Sequence, residues 1–456
     1  MKLLVPVLLG GFSLAASKHS PKRYQRKDIR DDEARLGLQK LGFSLLEESD
    51  GNGLVSPLSL AGVLHLLAAG GVGNTRSEIL EKALGLDYEE FIKSSNGKFQ
   101  YNWVVEPHNC VMETLIENSK SGDYEFESYT GLFTNLEHDD VINPCKDWND
   151  DSPSHQCVIK KDFIKEYLGE NKKIDFQGSY DVLETVNEAV NKATRGNFPE
   201  FLDSLPPNTL MVALSALYIE SNWYNNKIPA QFSTKMFDVV SNGEIRRNRN
   251  NYCFHGSSSR CEAPQEWLKS EELPFDVYND GSVLVIDLNL KSGSEQDEII
   301  FTIVMPDDMR SFDYRSISPT LKKAQSVWQS QSLEEKWAVL NIPTFEIKMK
   351  EDMIGQLRRM GVHAAFSPQN ADFSHLFTDH TDSPFVKVLQ HAATFSVSKD
   401  GIKASAATAA VFATRSLSTQ DGKMIYVNKP FYFMLSSRST GKERAPLFVG
   451  KISTLV

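Results

Sequence analysis

Residues Lys399 to Ser416 read KDGIKASAATAAVFATRS. The stretch is rich in alanine, poor in charge, and ends in Arg415-Ser416, close to the C-terminus. Arginine followed by a small residue is bait for a trypsin-like protease, whose specificity pocket carries a carboxylate. The chemistry implied is that of a substrate: the nucleophile belongs to the protease, and this chain offers the peptide bond. The alanine-rich run before the bond suits a strand that must slot into a tightly packed sheet. Bait and insertable strand together predict a protease trap. The other reading of the same residues is an alanine-rich surface linker or helix with a chance arginine.

The remaining sequence offers no competing chemistry. There is no GxSxG, HExxH, Walker loop or clustered Cys/His set, so we do not expect an enzyme. Without CxxC or HExxH, no metal site is expected either. Gly71-Val72-Gly73 lacks the third glycine and the lysine of a phosphate loop and reads as a turn between helices. The formal charge of -11 argues against nucleic-acid binding.

The chain has 456 residues, of which 41% are hydrophobic and 24% charged, as in a globular protein. It opens on MKLLVPVLLGGFSLAAS: one lysine, an apolar run from Leu3 to Leu14, then small residues. That is the pattern of a secretory signal over residues 1–17, and the run is too short for a membrane anchor. We therefore expect a secreted, extracellular, soluble monomer. Residues 18–30 form a basic arm carrying Lys18, Lys22, Arg23, Arg26, Lys27 and Arg30 against a single acid, Asp28. It reads either as a site for a heparin-like polyanion, such as a sulfated glycosaminoglycan, or as a solvated tail. Among Cys110, Cys145, Cys157, Cys253 and Cys261, the near pairs 145–157 and 253–261 could each close a short loop. An odd thiol stays free or pairs between chains.

Residues 31–456 show no linker and no repeat, and read as one α+β domain with large sheets. VSPLSLAGVLHLLAAGG places Leu60, Leu64, Leu67 and Ala68 at helical spacing, with Ser56 as N-cap and Pro57 in the first turn. GNTRSEILEKALGL starts another helix, with Thr75 and Glu78 in capping-box register. SYDVLETVNEAVNKATRG is an amphipathic helix. KEDMIGQLRRMG is a helix with a glycine stop. TLMVALSALYIESNW is a near-continuous apolar run that fits a central strand buried on both faces. KSGDYEFESYTGLFTN, SVLVIDLNL, IIFTIVMP, WAVLNIPTFEI and MIYVNKPFYFMLSS are further strand candidates. Residues 135–157 read as a polar surface excursion.

In their order and extent these segments resemble the serpin family over nearly the whole mature chain. TVNEAVNKATRGNFPEFL resembles the helix that crosses the family's main sheet. SALYIESNW is similar to the strand pattern NAIYFKGxW, with Trp223 at the tryptophan. HAATFSVSKDGIKASAATAA is similar to HKAFIEVNEEGTEAAAATA, and NKPFYFMLSSRSTGKERAPLFVGKI to the final strands. The resemblance implies three β-sheets, about nine helices and an exposed reactive loop at about 399–423. It implies a metastable, spring-loaded fold in which a protease acylates itself on the loop, and the cleaved segment inserts into the main sheet.

The resemblance also assigns residues. Gly401 and Arg415 reproduce the spacing between hinge glycine and cleaved bond, making Arg415–Ser416 the reactive bond. Lys399, Asp400, Gly401, Ile402, Lys403, Ala404, Ser405, Ala406, Ala407 and Thr408 form the hinge. A two-residue period sorts the insert into one face with Ile402, Ala404, Ala406 and Thr408, and another with Lys403, Ser405 and Ala407. A slip by one residue would bury Lys403. Ile402 stands where the family usually has Thr or Ser; being uncharged it should still insert, though more slowly. Ser56 and His391 match a polar cluster beneath the opening sheet, and Asn187 its partner on the crossing helix. The family's strand asparagine is Ser215 here, and its glycine Ser221. A non-inhibitory carrier, chaperone or storage serpin is the alternative, favoured by Ile402 and Lys403.

Overall fold

A computed structural model describes residues 24–47, 51–87, 102–134, 180–204, 206, 211–224, 236–240, 242–248, 250–256, 261–262, 266–270, 273–309, 312, 314–330, 337–375, 384–403 and 423–455. Among them are eight α-helices, three large sheets and a small hairpin.

Helix α1, Tyr24–Leu46, begins inside the basic segment. Helix α2, Pro57–Gly70, starts where expected: Ser56 Oγ accepts the Ser59 N–H at 3.3 Å and Pro57 takes the first turn. Every α2 residue except Leu66 is buried, in keeping with a sequence apolar on every face apart from Ser59 and His65. Helix α3, Asn74–Glu78, departs from the expected capping box: its cap position is Gly73, without a side-chain cap. The two capping residues serve distant backbone instead. Thr75 Oγ1 accepts from Asp372 N at 2.9 Å, and Glu78 accepts from His363 N and Ala364 N, each at 2.7 Å. The other helices are α4 (Asn102–Ser119), α5 (Tyr180–Ala193), α6 (Asn242–Arg247), α7 (Ile317–Ser330) and α8 (Ile354–Arg359). Gly361, at φ +99°, provides the stop after α8.

The main sheet runs β13 (Phe345–Asp352), β14 (Val388–Val397), β15 (Gly401–Lys403), β3 (Met211–Asn222), β2 (Tyr124–Thr134). The long apolar run becomes β3, buried continuously from Met211 to Ile219. Its alternate side chains meet two different layers. Met211, Ala213, Leu217 and Ile219 join the principal core, while Val212, Leu214 and Ala216 pack with Val190 of α5 and with Phe198, Phe201 and Leu202 just beyond it.

A second sheet runs β1 (Gly53–Val55), β18 (Ala445–Ile452), β17 (Phe431–Ser439), β11 (Asp297–Pro306), β10 (Val283–Leu290), β9 (Asp276–Asn279). Aromatic rings join it to the main sheet; Phe395 of β14 lies 4.7 Å, centroid to centroid, from Phe433 of β17. Within this sheet Arg444 is buried with Asp287, at 2.6 and 3.0 Å, and with Thr302 Oγ1 at 2.8 Å. A third sheet runs β16 (Lys423–Tyr426), β12 (Trp337–Pro343), β7 (Trp267–Ser270), β4 (Phe237–Val239), with β8 (Leu273–Pro274) on β12. The hairpin pairs β5 (Phe254–His255) with β6 (Cys261–Glu262).

Two strand candidates divide between sheets. WAVLNIPTFEI breaks after Pro343, so β12 and β13 lie in the third and main sheets. MIYVNKPFYFMLSS breaks before Phe431, so β16 and β17 also part company. In both, the break falls at a proline, which has no N–H to continue a ladder.

Candidate functional site

Strands β14 and β3 are parallel neighbours from the pair Val388–Val212 to the pair Ala392–Ala216. Beyond that they separate, and β15 occupies the opening, antiparallel to both. Ser396 pairs with Lys403 and Val397 with Ile402 on one side; Gly401 pairs with Asn222, Ile402 with Ser221 and Lys403 with Glu220 on the other. The main sheet is closed at one end and wedged apart at the other by Gly401, Ile402 and Lys403 of the hinge. This differs from a loop free from Lys399 onward.

The local sequence explains the wedge. A Cβ on Gly401 would lie 2.1 Å from Ser221 O and 2.7 Å from Asn222 Cα, so only glycine lets the hinge reach β3 this closely. Ile402 is 2% exposed and joins the principal core, on the face that strand alternation assigns to it. Burying such a side chain contributes roughly 1.5–3 kcal/mol, which holds the hinge in the sheet. The preceding turn is fastened by Trp223. Its backbone N–H donates to Asp400 O at 3.0 Å and its indole N–H to Ser398 O at 2.8 Å. Trp223 is itself packed against Phe237 and Phe301. Lys399 pairs with Asp400 on the surface at 2.9 Å.

Beneath the point where the strands part lies a buried polar cluster. His391 Nε2 accepts the Ser56 N–H at 3.0 Å, which leaves the ring proton on Nδ1, 2.8 Å from Ser215 Oγ. Ser56 Oγ donates to Leu447 O at 2.7 Å, tying the cluster to β18. Burial pulls the His391 pKa down to about 4, so the imidazole is neutral at physiological pH. His391 and Ser215 are direct partners one pair below the fork. The serine that replaces the family asparagine is therefore bonded within the cluster.

Asn187 is elsewhere. Its carboxamide brackets Leu202, donating to the carbonyl at 2.9 Å and accepting from the N–H at 2.7 Å. It clips α5 to the segment that follows, and that segment straps the outer face of the main sheet. On the β2 side Arg195, with φ of 52°, meets Glu125 at 2.6 Å and Glu127 at 3.4 Å. On the β13 side Lys348 donates to Asn197 O and Lys350 meets Asp203 at 2.9 Å. Sequence reasoning missed Glu220, Arg195 and Ser398. Only the charge run in YEFESY hinted at a cation nearby.

Ala404, Ser405, Ala406, Ala407, Thr408, Arg415 and Ser416 lie outside the described residues, as do Lys18, Lys22, Arg23, residues 1–17, Cys145 and Cys157. Arg26, Lys27 and Arg30 fall within α1. Cys110 is not in a disulfide, and Cys253 is disulfide-bonded. Among the described residues no group of three or more His, Cys, Asp or Glu could hold a metal ion, and no helix is long and apolar enough to cross a membrane.

Comparison with known proteins accords with this architecture. The family description "Serpin (serine protease inhibitor)" matches residues 35–455. The chain belongs to the serpin family. Serpins in general act on proteases as inhibitors rather than as catalysts. Mouse Serpin A9 is 24% identical, over 90% of this chain and 84% of its own length. Human leukocyte elastase inhibitor is 22% identical, over 90% and 96%. Human thyroxine-binding globulin, solved in complex with thyroxine, shares the fold at a TM-score of 0.63 and 20% identity, over 94% of this chain and 99% of its own.

Proposed function

We propose that this serpin is a secreted inhibitor of arginine-specific, trypsin-like serine proteases and acts as a suicide substrate. The observation that carries the reading is the wedge: Gly401–Lys403 already parts β14 from β3 at one end of the main sheet. The protease serine Oγ attacks the Arg415 carbonyl carbon, the Arg415–Ser416 amide bond breaks, and the freed Ser416 amine takes the proton. An acyl-enzyme remains on Arg415. Residues from Ala404 onward follow Lys403 into the sheet as a new strand, carrying the protease with them and distorting its active site before water can release it. In the same reading residues 1–17 direct secretion and Cys253 pairs with Cys261 across the β5–β6 turn. The arm from Lys18 to Arg30 binds a heparin-like polyanion.

A carrier role is the second reading. The deep burial of Ile402 favours it, because a hinge anchored by a large apolar side chain departs from the small polar residue usual at that place. Incubation with trypsin followed by denaturing electrophoresis separates the two. Inhibition predicts a complex that survives denaturation; cleaved chain alone, with no complex, refutes it.

A further inference from the structure

Far from the hinge, three buried nitrogen-bearing side chains meet at one small cavity. Arg35 of α1, His65 of α2 and His108 of α4 line it, and its remaining walls, Leu84 and Leu86 among them, are apolar. It leaves about 10 Å³ for the centre of a water-sized atom, which is room for one. Each of the three polar residues is no more than 6% exposed, and the two imidazole rings lie 5.2 Å apart, centroid to centroid. Gly62 of α2 permits this approach. A Cβ there would lie 3.0 Å from Thr130 Oγ1 and 3.5 Å from His108 Nε2.

All three side chains are short of partners. Nδ1 of His65 and Nδ1 of His108 are buried without a hydrogen-bond partner among the described residues, and such an atom is costly to leave unpaired. Burial lowers both histidine pKa values, to about 4 for His108, so each ring is neutral at physiological pH. A neutral imidazole keeps one N–H, and the tautomer that places it on Nδ1 is open to each ring. Arg35 donates to Glu443 O at 3.3 Å. The acids of its own helix are engaged by the loop beyond: Lys442 meets Asp31 at 3.5 Å, and Asp32 accepts from Glu443 N at 2.9 Å. Burial pulls the Arg35 pKa below its ordinary value, against the opposing attraction of Asp31, Cys110, Asp32 and Asp297. A buried positive charge is therefore incompletely balanced here, at a cavity that no carboxylate lines.

We propose that this cavity is a binding site for a single halide-sized anion, chloride, held by the Arg35 guanidinium and by N–H groups of His65 and His108. The size admits one atom, which rules out carboxylates, phosphate and sulfate. A water would fit, but it would leave the guanidinium charge unbalanced. The ion would tie α1 to α2 and α4 and so stabilise the folded chain in proportion to its occupancy. The site is independent of the trapping mechanism proposed above.

The test is urea unfolding of the full, uncleaved chain as sodium chloride replaces sodium gluconate at constant ionic strength, gluconate being too large to enter. The folded-to-unfolded ratio should rise along a single-site curve, about tenfold where chloride is ten times its Kd. Bromide should act likewise. Arg35→Met and His108→Phe should each remove this chloride-specific gain, whatever general effect the salts retain. The linewidth of the chloride NMR signal reads binding in the native state, without unfolding. Folded wild type should broaden it, bromide should reverse the broadening, and the variants should not broaden it. A chloride dependence equal in wild type and both variants would overturn the proposal in favour of a single water. So would a linewidth that folded wild type leaves unchanged.

Discussion

Acidification should loosen this fold before its carboxylates titrate, and His391 should account for a separable share. The ring already uses both nitrogens: Nε2 accepts from Ser56 N–H, and Nδ1–H faces Ser215 Oγ. A second proton must sit on Nε2, aimed at a donor 3.0 Å away, and its charge would be fully buried. The folded pKa is accordingly about 4, against about 6.5 in an unfolded chain. Between those values the unfolded chain binds more protons than the folded one, so stability falls as pH falls through the window from about 6.5 to about 4. By linkage, this site alone should cost about 2 kcal/mol between pH 7 and pH 5, and about 3 kcal/mol by pH 4. His108, held near 4 by burial, and His65, lowered by burial and by His108, act with the same sign at a second place. The assay is urea unfolding of the uncleaved chain at pH 7 and pH 5, for wild type and His391→Gln. The variant's loss between the two pH values should be smaller than the wild type's by about 2 kcal/mol, whatever its stability at pH 7. Equal losses in the two proteins would refute the reasoning.

Two further outcomes follow from burial. Ile402→Ser removes three carbons from a site that is 2% exposed. That should cost about 2 kcal/mol and shift the hinge out of the sheet roughly thirtyfold. Emission from Trp223, whose indole bonds the hinge turn, should change with it; an unchanged spectrum would count against the wedge. Asp287→Ala strands the buried Arg444 guanidinium. It should lower stability by about 3–5 kcal/mol, whereas the Asp287→Leu, Arg444→Met pair should lose far less; urea midpoints for the two decide it.

What the sequence discloses depends on how local the cause is. The run from Met211 to Ile219 is legible because both of its faces meet apolar layers, so no polar residue interrupts it. Ser56-Pro57 is legible because an N-cap acts within its own turn. Thr75 and Glu78 mislead because their acceptor oxygens are taken by backbone donors nearly 300 positions away, which no local spacing reveals. The hinge glycine is legible through the family resemblance, which places it at Gly401, where the chain approaches β3 too closely for a Cβ. Its insertion is not, since that depends on Trp223, Ser221 and Glu220, all far off in the chain. Ser215 looks like the loss of a family asparagine, yet its hydroxyl reaches the same histidine.

On the trapping mechanism proposed above, the register of β15 sets an order of events for the alanine-rich segment. Only Ala393–Phe395 on β14 and Leu217–Ile219 on β3 separate the wedge from the closed pairs below. Continued in the register of β15, Ser405 would arrive opposite Thr394, whose buried Oγ1 has no hydrogen-bond partner. Ala407 would then reach the first closed pair, Ala392–Ala216, and Thr408 the level of His391 and Ser215. Each of these closed pairs must part by about one strand width, roughly 4.8 Å, to admit the newcomer. Small side chains up to Ala407 let the strand reach the fork without overpacking; Thr408 brings a hydroxyl to the point where the histidine bond must be remade. The strap held by Arg195 on one side and by Lys348 and Lys350 on the other resists the same widening. The fast part of insertion should therefore end at Ala407, and the rate of trapping should be set where Thr408 meets His391.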